Sequence, residues 1–232
     1  MADSSPPGRT FRGQSQEERV AQRRRQLLDA GLALFGSRGF SGVSVRDVCG
    51  EAKLTERYFY ESFQNREALF VAVYGEGVER IRSAIVAAIG QAGGSAEEAS
   101  RATLYAYFNT LREEPLLARV LLIDSLTIGG EAGNQTVDSM SSFVEIVSAM
   151  ILQLYPDLPK HKLDAGWIGN GLVGATVFMA QRWAQGGFAE PVEQLVDNCT
   201  AFVDGLAALV RTQNKAASRK TSKRTGRERR AS

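Results

Sequence analysis

Arginine, tyrosine and hydroxyl side chains are concentrated between Ser44 and Phe63, a segment whose pattern predicts two short helices joined by a tight turn. In the second helix Phe59 and Phe63 lie four residues apart and face a core, which leaves Arg57 and Tyr58 on the other side. An arginine there can bind a guanine edge through two hydrogen bonds, and a tyrosine can contact a thymine methyl group or a phosphate. Two helices joined in this way are typical of the helix-turn-helix unit, whose second helix can lie in the major groove of DNA.

Helices on either side of this segment are predicted to hold it in place. Ser15 and Glu18 have the spacing of a capping box at the start of a first helix, which Gly39 ends. The arginines at 23–25 lie mostly off the apolar stripe of that helix, so they could form a solvated face or contact a phosphate. The predicted N-terminal caps are Ser15, Ser44, Thr55, Asn65 and Ser95.

The rest of the chain keeps helical spacing, which predicts an all-α protein of about nine helices without internal repeats. Residues 160–185 place four glycines among apolar side chains, and such glycines are tolerable where another helix approaches closely. Residues 191–210 carry a wide apolar stripe. Two apolar helices at the end of a helical domain favour a self-complementary homodimer interface, with ordinary burial inside one subunit as the alternative.

Composition excludes several classes of protein. The chain has 232 residues, of which 44% are hydrophobic and 23% charged, as in ordinary soluble domains. It has no apolar run of about 18 residues and no apolar segment at its N-terminus, which argues against a membrane span and a secretory signal. Cys49 and Cys199 are too few and too far apart for a disulfide framework. A cytoplasmic location is therefore expected.

Charge is distributed unevenly along the chain. Residues 1–76 carry 11 basic and 10 acidic side chains, residues 77–210 carry 8 and 15, and residues 211–232 carry 9 and 1. Residues 1–14 and 211–232 have no apolar periodicity and are expected to be a disordered arm and a disordered basic tail. The arm could enter a minor groove and the tail could bind phosphates without sequence preference, or both could be simple solvated termini.

Three short motifs resemble one known family. Ser44–Val48 reads SVRDV, Tyr60–Phe63 reads YESF, and Arg66–Leu69 reads REAL. Together with Gly31–Phe40 in the first helix, they resemble the tetracycline-repressor (TetR) family of bacterial transcription regulators over about residues 16–75. Each motif is short, but their combination and order are specific.

The resemblance implies an N-terminal three-helix head that binds DNA and a C-terminal helical domain for ligand binding and dimerisation. It implies boundaries at 1–14 (arm), 15–75 (helix-turn-helix domain), 76–210 (regulatory domain) and 211–232 (tail). Family members act as homodimers on a palindromic operator, with helix 3, here about 55–61, in the major groove. The family's base or phosphate contacts map onto Ser44, Arg46, Thr55, Arg57, Tyr58, Tyr60, Ser62 and Arg66.

The segment departs from the family pattern at several positions. Lys53 stands where the family usually has a turn glycine, a position that favours a left-handed backbone. Arg57 and Tyr58 replace the common Gly-Thr or Gly-Ser pair, Glu61 stands where tyrosine is common, and Gln64 replaces proline. The operator is therefore expected to differ from those of better-known branches.

The resemblance also implies a small-molecule effector. In this family a ligand cavity lies among helices 4 to 8, and ligand binding moves helix 4 and separates the two reading heads. The chain would then be a repressor that a ligand releases, and the acidic charge of residues 77–210 favours a cationic or neutral apolar compound. The candidate lining residues, which could equally be plain core, are Tyr105, Phe108, Leu122, Phe143, Asn170, Thr176 and Phe178.

Two other functions remain as alternatives. An enzyme is disfavoured, because the single histidine, His161, stands near a proline loop, and no nucleophile, phosphate-binding or metal-ligand motif accompanies it. No metal or cofactor is therefore expected. Cys49 could act as a redox sensor, although single helix cysteines are mostly packing residues. The other alternative is an architectural DNA-binding protein that uses the basic arm and tail without reading a sequence.

Overall fold

The computed structural model describes residues 15–124, 130–156, 158, 163–205, 208 and 212. These residues form nine α-helices and no β-strand, which confirms the predicted all-α fold. The arm, His161 and all of the basic tail except residue 212 lie outside the described residues. The helices are α1 (Gln16–Arg38), α2 (Val45–Ala52), α3 (Glu56–Ser62), α4 (Arg66–Gln91), α5 (Ala96–Glu113), α6 (Pro115–Leu122), α7 (Gly130–Leu154), α8 (Ala165–Gln185) and α9 (192–205).

The helix boundaries follow local hydrogen bonds. The amide of Glu18 donates to the Ser15 hydroxyl at 3.1 Å, and the Ser15 amide donates back to Glu18 at 2.6 Å, which confirms the predicted capping box. Asn65 caps α4 through the amide of Ala68 at 2.7 Å. Thr55 occupies the cap position of α3, yet its side chain accepts no hydrogen bond there. Backbone geometry and the capping side chains therefore set most of these helix starts.

The chain divides into two compact units. The first combines Met1–Arg80 with Glu113–Thr136, and the second combines Ile81–Arg112 with Val137–Ser232. An aromatic cluster lies at the centre of the first unit, where the rings of Phe35, Phe40 and Phe70 have centroids 5.3 to 5.7 Å apart. Such pairs contribute about 0.5–1.5 kcal/mol each beyond their burial, so this cluster fixes α1 against α4.

Helix α6 belongs to the first unit and packs closely on α1. A Cβ atom added at Gly36 would lie 2.6 Å from the Cβ of Leu116 and 2.7 Å from its carbonyl oxygen. Glycine is needed there because any side chain would overlap the backbone of α6. At the end of α1, the Arg119 side chain of α6 donates to the Ser37 carbonyl at 3.4 Å. The first unit therefore includes a helix, α6, that is distant in sequence from α1.

The second unit has its own aromatic core. Trp183 of α8 makes edge contacts with Phe108 of α5 and with Phe188, and its indole N–H donates to the Glu190 carbonyl at 2.9 Å. Arg101 and Asp197 join α5 to α9 by an ion pair of 2.7 Å. Within the described residues, none of the helices combines the length and apolar character that crossing a bilayer requires.

Candidate nucleic-acid interface

Helix α3 has one buried face and one open face. Phe59 is fully buried and Phe63 is 4% exposed, which confirms that these two rings face the core. On the other side the Arg57 side chain is 84% exposed and Tyr60 is 57% exposed. An isolated helix of only seven residues is unstable in water, so the conformation of α3 depends on these core contacts.

Two arginines of α1 support α3 from the side. The guanidinium of Arg23 lies 4.3 Å from the ring centre of Tyr58, and that of Arg24 lies 4.3 Å from the ring centre of Phe63. Arg24 also donates to the carbonyl of Ser62 at 3.0 Å, which satisfies an acceptor at the end of α3. Cation–π contacts at exposed sites contribute about 0.5–1 kcal/mol each. Arg23 and Arg24 therefore contact residues of α3 and its C-terminal end, while the Arg24 side chain remains exposed.

Glu61 lies between two cations on the open side of α3. Its Oε1 atom accepts a hydrogen bond from Nε of Arg57, one turn earlier, at 3.1 Å. Its Oε2 atom lies 3.8 Å from Nη2 of Arg23. Arg57 is therefore held to the surface of α3 by one nitrogen while the rest of its side chain remains exposed.

The start of α2 is fixed by a reciprocal pair. The amide of Asp47 donates to the Ser44 hydroxyl at 3.2 Å, and the Ser44 amide donates to Asp47 at 2.8 Å. The hydrogen bond from the Ser44 hydroxyl, followed by that from its amide, holds the pKa of Asp47 below its ordinary value of 3.8. Ser44 is therefore a confirmed cap, and Arg46, next to it in the first turn of α2, is exposed.

The turn between α2 and α3 contains a residue in the left-handed conformation. Lys53 has φ 55° and ψ 39°, and its amide donates to the carbonyls of Cys49 and Gly50. This conformation costs a residue with a side chain about 1–2 kcal/mol, which glycine avoids. Lys53, which replaces the usual glycine, therefore keeps the backbone geometry that the glycine pattern predicts.

Arg66 holds the loop that precedes α2. Its Nη1 atom donates to the carbonyl of Val43 at 2.7 Å, and its guanidinium lies 4.0 Å from the ring centre of Phe40. Glu67 is also 3.5 Å from its Nη2 atom. Arg66, for which the resemblance implies a base or phosphate contact, thus has partners inside the protein, and it joins the start of α4 to the loop before α2.

The eight predicted DNA-contact residues all belong to the first unit and separate into two groups. The exposed ones are Ser44, Arg46, Thr55, Arg57 and Tyr60. The half-buried ones are Tyr58, Ser62 and Arg66, each of which touches an aromatic ring or an arginine of the protein. The roles of Arg23 and Arg24 as supports were missed, because neither their spacing nor their type shows that α3 lies beside them.

The seven predicted ligand residues differ in burial and in the contacts they make. Tyr105 borders an open cleft of about 330 Å³ in the second unit, whose lining includes four alanines together with Arg101 and Glu193. Phe108 is fully buried against Trp183. Leu122 is buried in the first unit. Of the remaining four, Asn170 and Phe178 are exposed, and Phe143 and Thr176 are half-buried.

Within the described residues, the two cysteines are buried and the carboxylates form no group of metal ligands. Cys49 and Cys199 are both buried, and burial raises the pKa of each thiol. A protonated thiol is a weak nucleophile, which favours packing over redox sensing for Cys49. In the part of the chain that the structure describes, no three His, Cys, Asp or Glu side chains could jointly hold a metal ion.

Solved structures with this fold include several bacterial regulators. A TetR-like transcriptional regulator from a Rhodococcus species is 23% identical with a TM-score of 0.63, covering 81% of this chain and 97% of its own. The fatty acid degradation regulator FadR from Bacillus halodurans is 16% identical with a TM-score of 0.66, covering 77% and 93%. FadR from Bacillus subtilis, solved with stearoyl-CoA, is 14% identical with a TM-score of 0.66, covering 76% and 95%.

The residues that match a family model include those that form the surface described above. Residues 27–73, which include the second half of α1, all of α2 and α3 and the start of α4, match the model of the bacterial regulatory proteins of the tetR family. The family match and the fold agree with the motifs in the sequence. Residues 27–73 therefore match the tetR family of bacterial regulatory proteins, and the described helices have the fold of the solved regulators named above.

Proposed function

We propose that this protein is a dimeric transcriptional repressor that binds a palindromic operator through α3 and releases it when a small molecule binds the second unit. The observation that carries the proposal is the open face of α3, where Arg57 and Tyr60 are exposed on a helix anchored by buried Phe59. Helix-turn-helix proteins place such a helix in the major groove. The family match over these residues supports that placement.

The proposed contacts separate into two kinds. Arg57 and Tyr60 would reach base edges, since they are the most exposed large side chains of α3. Ser44, Arg46 and Thr55 would contact phosphates near the helix starts, where backbone amides favour anions. Tyr58, Ser62 and Arg66 would contribute mainly by holding the helices in position.

The proposed dimer interface lies on α8 and α9. Trp167 is 77% exposed and Phe178 is 66% exposed, and eleven residues, or about three turns, place them on one face of α8. Between them, Cβ atoms added at Gly171 or Gly174 would meet no heavy atom within 4 Å. A second helix could therefore approach closely, and Phe202 of α9, 53% exposed, would extend the interface. Phe178→Glu should yield a monomer by sedimentation, together with a large loss of DNA affinity.

The proposed effector site is the cleft beside Tyr105 in the second unit. Its volume lies at the small end of the range for ligand sites, and its alanine lining suits an apolar group. Because one similar structure was solved with stearoyl-CoA, an acyl-CoA series should be compared with neutral and cationic apolar compounds. A true effector would release operator DNA from the protein and raise the melting temperature of the protein. Ala102→Trp, which fills the cleft, should abolish both effects.

The competing function, architectural binding without sequence preference, predicts a different response to salt and sequence. Full-length protein should be titrated with DNA from its own upstream region and with random DNA, at several salt concentrations. The repressor proposal predicts much tighter binding to the first, and Arg57→Ala should relax one base position. Equal affinity for both DNAs would support the architectural function. Transcription in vitro from the bound promoter then separates repression from activation.

A further inference from the structure

Helix α3 has two exposed acidic residues, Glu56 and Glu61, in a surface that is proposed to bind a polyanion. Glu61 is held close to the open face of α3 by Arg57 and lies near Arg23. A carboxylate beside DNA phosphates opposes binding, so its presence requires another benefit. We propose that Glu61 is a specificity-determining residue that positions the guanidinium of Arg57 for a single guanine. This inference rests on the proposed function of α3.

The Arg57 nitrogen that donates to Glu61 determines which edge of the Arg57 guanidinium remains available to DNA. Glu61 accepts from Nε of Arg57 at 3.1 Å, and the two terminal nitrogens of Arg57 make no hydrogen bond to the described part of the chain. A guanidinium can approach a base through either of two edges, and one of them uses Nε. With Nε occupied, the end-on pair of N–H groups is left to bind N7 and O6 of guanine.

The second oxygen of Glu61 explains why the carboxylate keeps this position. Its Oε2 atom lies 3.8 Å from Arg23, whose guanidinium is itself fixed over the ring of Tyr58. Glu61 thus contacts Arg23 of α1 as well as Arg57 of its own helix. A mobile arginine must lose rotamer freedom on binding, whereas one already oriented loses less, which favours the correct base over any phosphate.

The test measures base preference rather than affinity alone. The full-length protein first selects DNA from a random pool, and the position that Arg57→Ala relaxes is identified. Binding of wild type and Glu61→Gln is then measured on the selected DNA and on DNA changed at that position. Glu61→Gln should lower the preference for the selected base by about two- to tenfold, the worth of one immobilised side chain. Affinity for random DNA should rise.

A matched control separates orientation from charge. Glu56 is an exposed acidic residue on the same helix that makes no ion pair with Arg57 in the described structure, so Glu56→Gln removes the same charge. It should raise affinity for random DNA while keeping the base preference. In an Arg57→Ala background, Glu61→Gln should have no further effect on that position.

The outcomes distinguish the two levels of the proposal. Because a glutamine amide oxygen can still accept from Nε of Arg57, Glu61→Ala is measured as well. If Arg57→Ala relaxes one position but both Glu61 variants keep the preference there, or weaken all positions equally, the orienting role is wrong and the recognition helix stands. If Arg57→Ala relaxes no position, the assignment of α3 itself fails. Circular dichroism of each variant verifies that the helices are intact.

Discussion

The contact between α1 and α6 predicts opposite effects for two glycine-to-alanine changes in the first unit. A Cβ at residue 36 would lie 2.6 to 2.8 Å from three atoms of Leu116, two of them backbone atoms. Carbon atoms prefer about 3.5–4.0 Å, so α1 and α6 would have to separate by roughly 1 Å. Overpacking of this kind costs about 1–3 kcal/mol, and alanine returns about 1 kcal/mol of helix propensity. Gly36→Ala should therefore destabilise the protein by up to about 2 kcal/mol.

Gly50 supplies the matched control. It lies in α2 of the same unit, and a Cβ there would meet nothing within 4 Å. Gly50→Ala should therefore stabilise the protein by about 0.5–1 kcal/mol. Gly77→Ala should fall between the two, because its Cβ would meet only the flexible ends of Leu117 and Leu121. Urea unfolding followed by circular dichroism measures all three.

The order of these three effects is the critical result. If Gly36→Ala is as stable as Gly50→Ala, α6 does not lie against α1 at the distance described. Hydrogen exchange of α1 amides provides a second readout, since Gly36→Ala should increase exchange at the end of α1.

Three further changes test the head. Lys53→Gly should raise the unfolding free energy by about 1 kcal/mol, because it relieves the left-handed conformation, whereas Lys53→Ala should not. Ser44→Ala should cost about 1 kcal/mol through the lost cap. Because the pKa of Asp47 is lower in the folded than in the unfolded protein, Asp47 contributes to the free energy of unfolding above about pH 4, and this contribution is lost as the pH falls further. In Ser44→Ala, the free energy of unfolding measured by urea titration should therefore decrease less as the pH is lowered. Arg24→Ala should lower the free energy of unfolding by about 1 kcal/mol and weaken DNA binding. Arg24→Lys should restore only part of this stability, because lysine lacks the planar guanidinium that stacks on Phe63.

Local chemistry made much of the fold predictable from the sequence. The caps at Ser15, Ser44 and Asn65 depend on hydrogen bonds that span three residues, and the spacing of the apolar side chains gave the helix faces. The left-handed geometry at residue 53 was likewise indicated by the glycine that the family usually has there. Such features need no knowledge of the tertiary fold.

Long-range packing was not predictable in the same way. The apolar face of α6 is compatible with several partners, and only the close approach at Gly36 shows which one it takes. The contacts of Arg23 and Arg24 with α3 join residues more than thirty positions apart in sequence. The predicted ligand residues were chosen by type and helix face, which cannot distinguish a core residue such as Phe108 from a cleft residue such as Tyr105.

Selection of bound fragments from random DNA by the full-length protein tests the central proposal most directly. A homodimer that reads DNA through α3 predicts a palindromic motif whose half-sites are separated by about one helical turn or a multiple of it. Arg57→Ala should relax the same position in both halves. Enrichment without symmetry, or no enrichment over random sequence, would contradict the account.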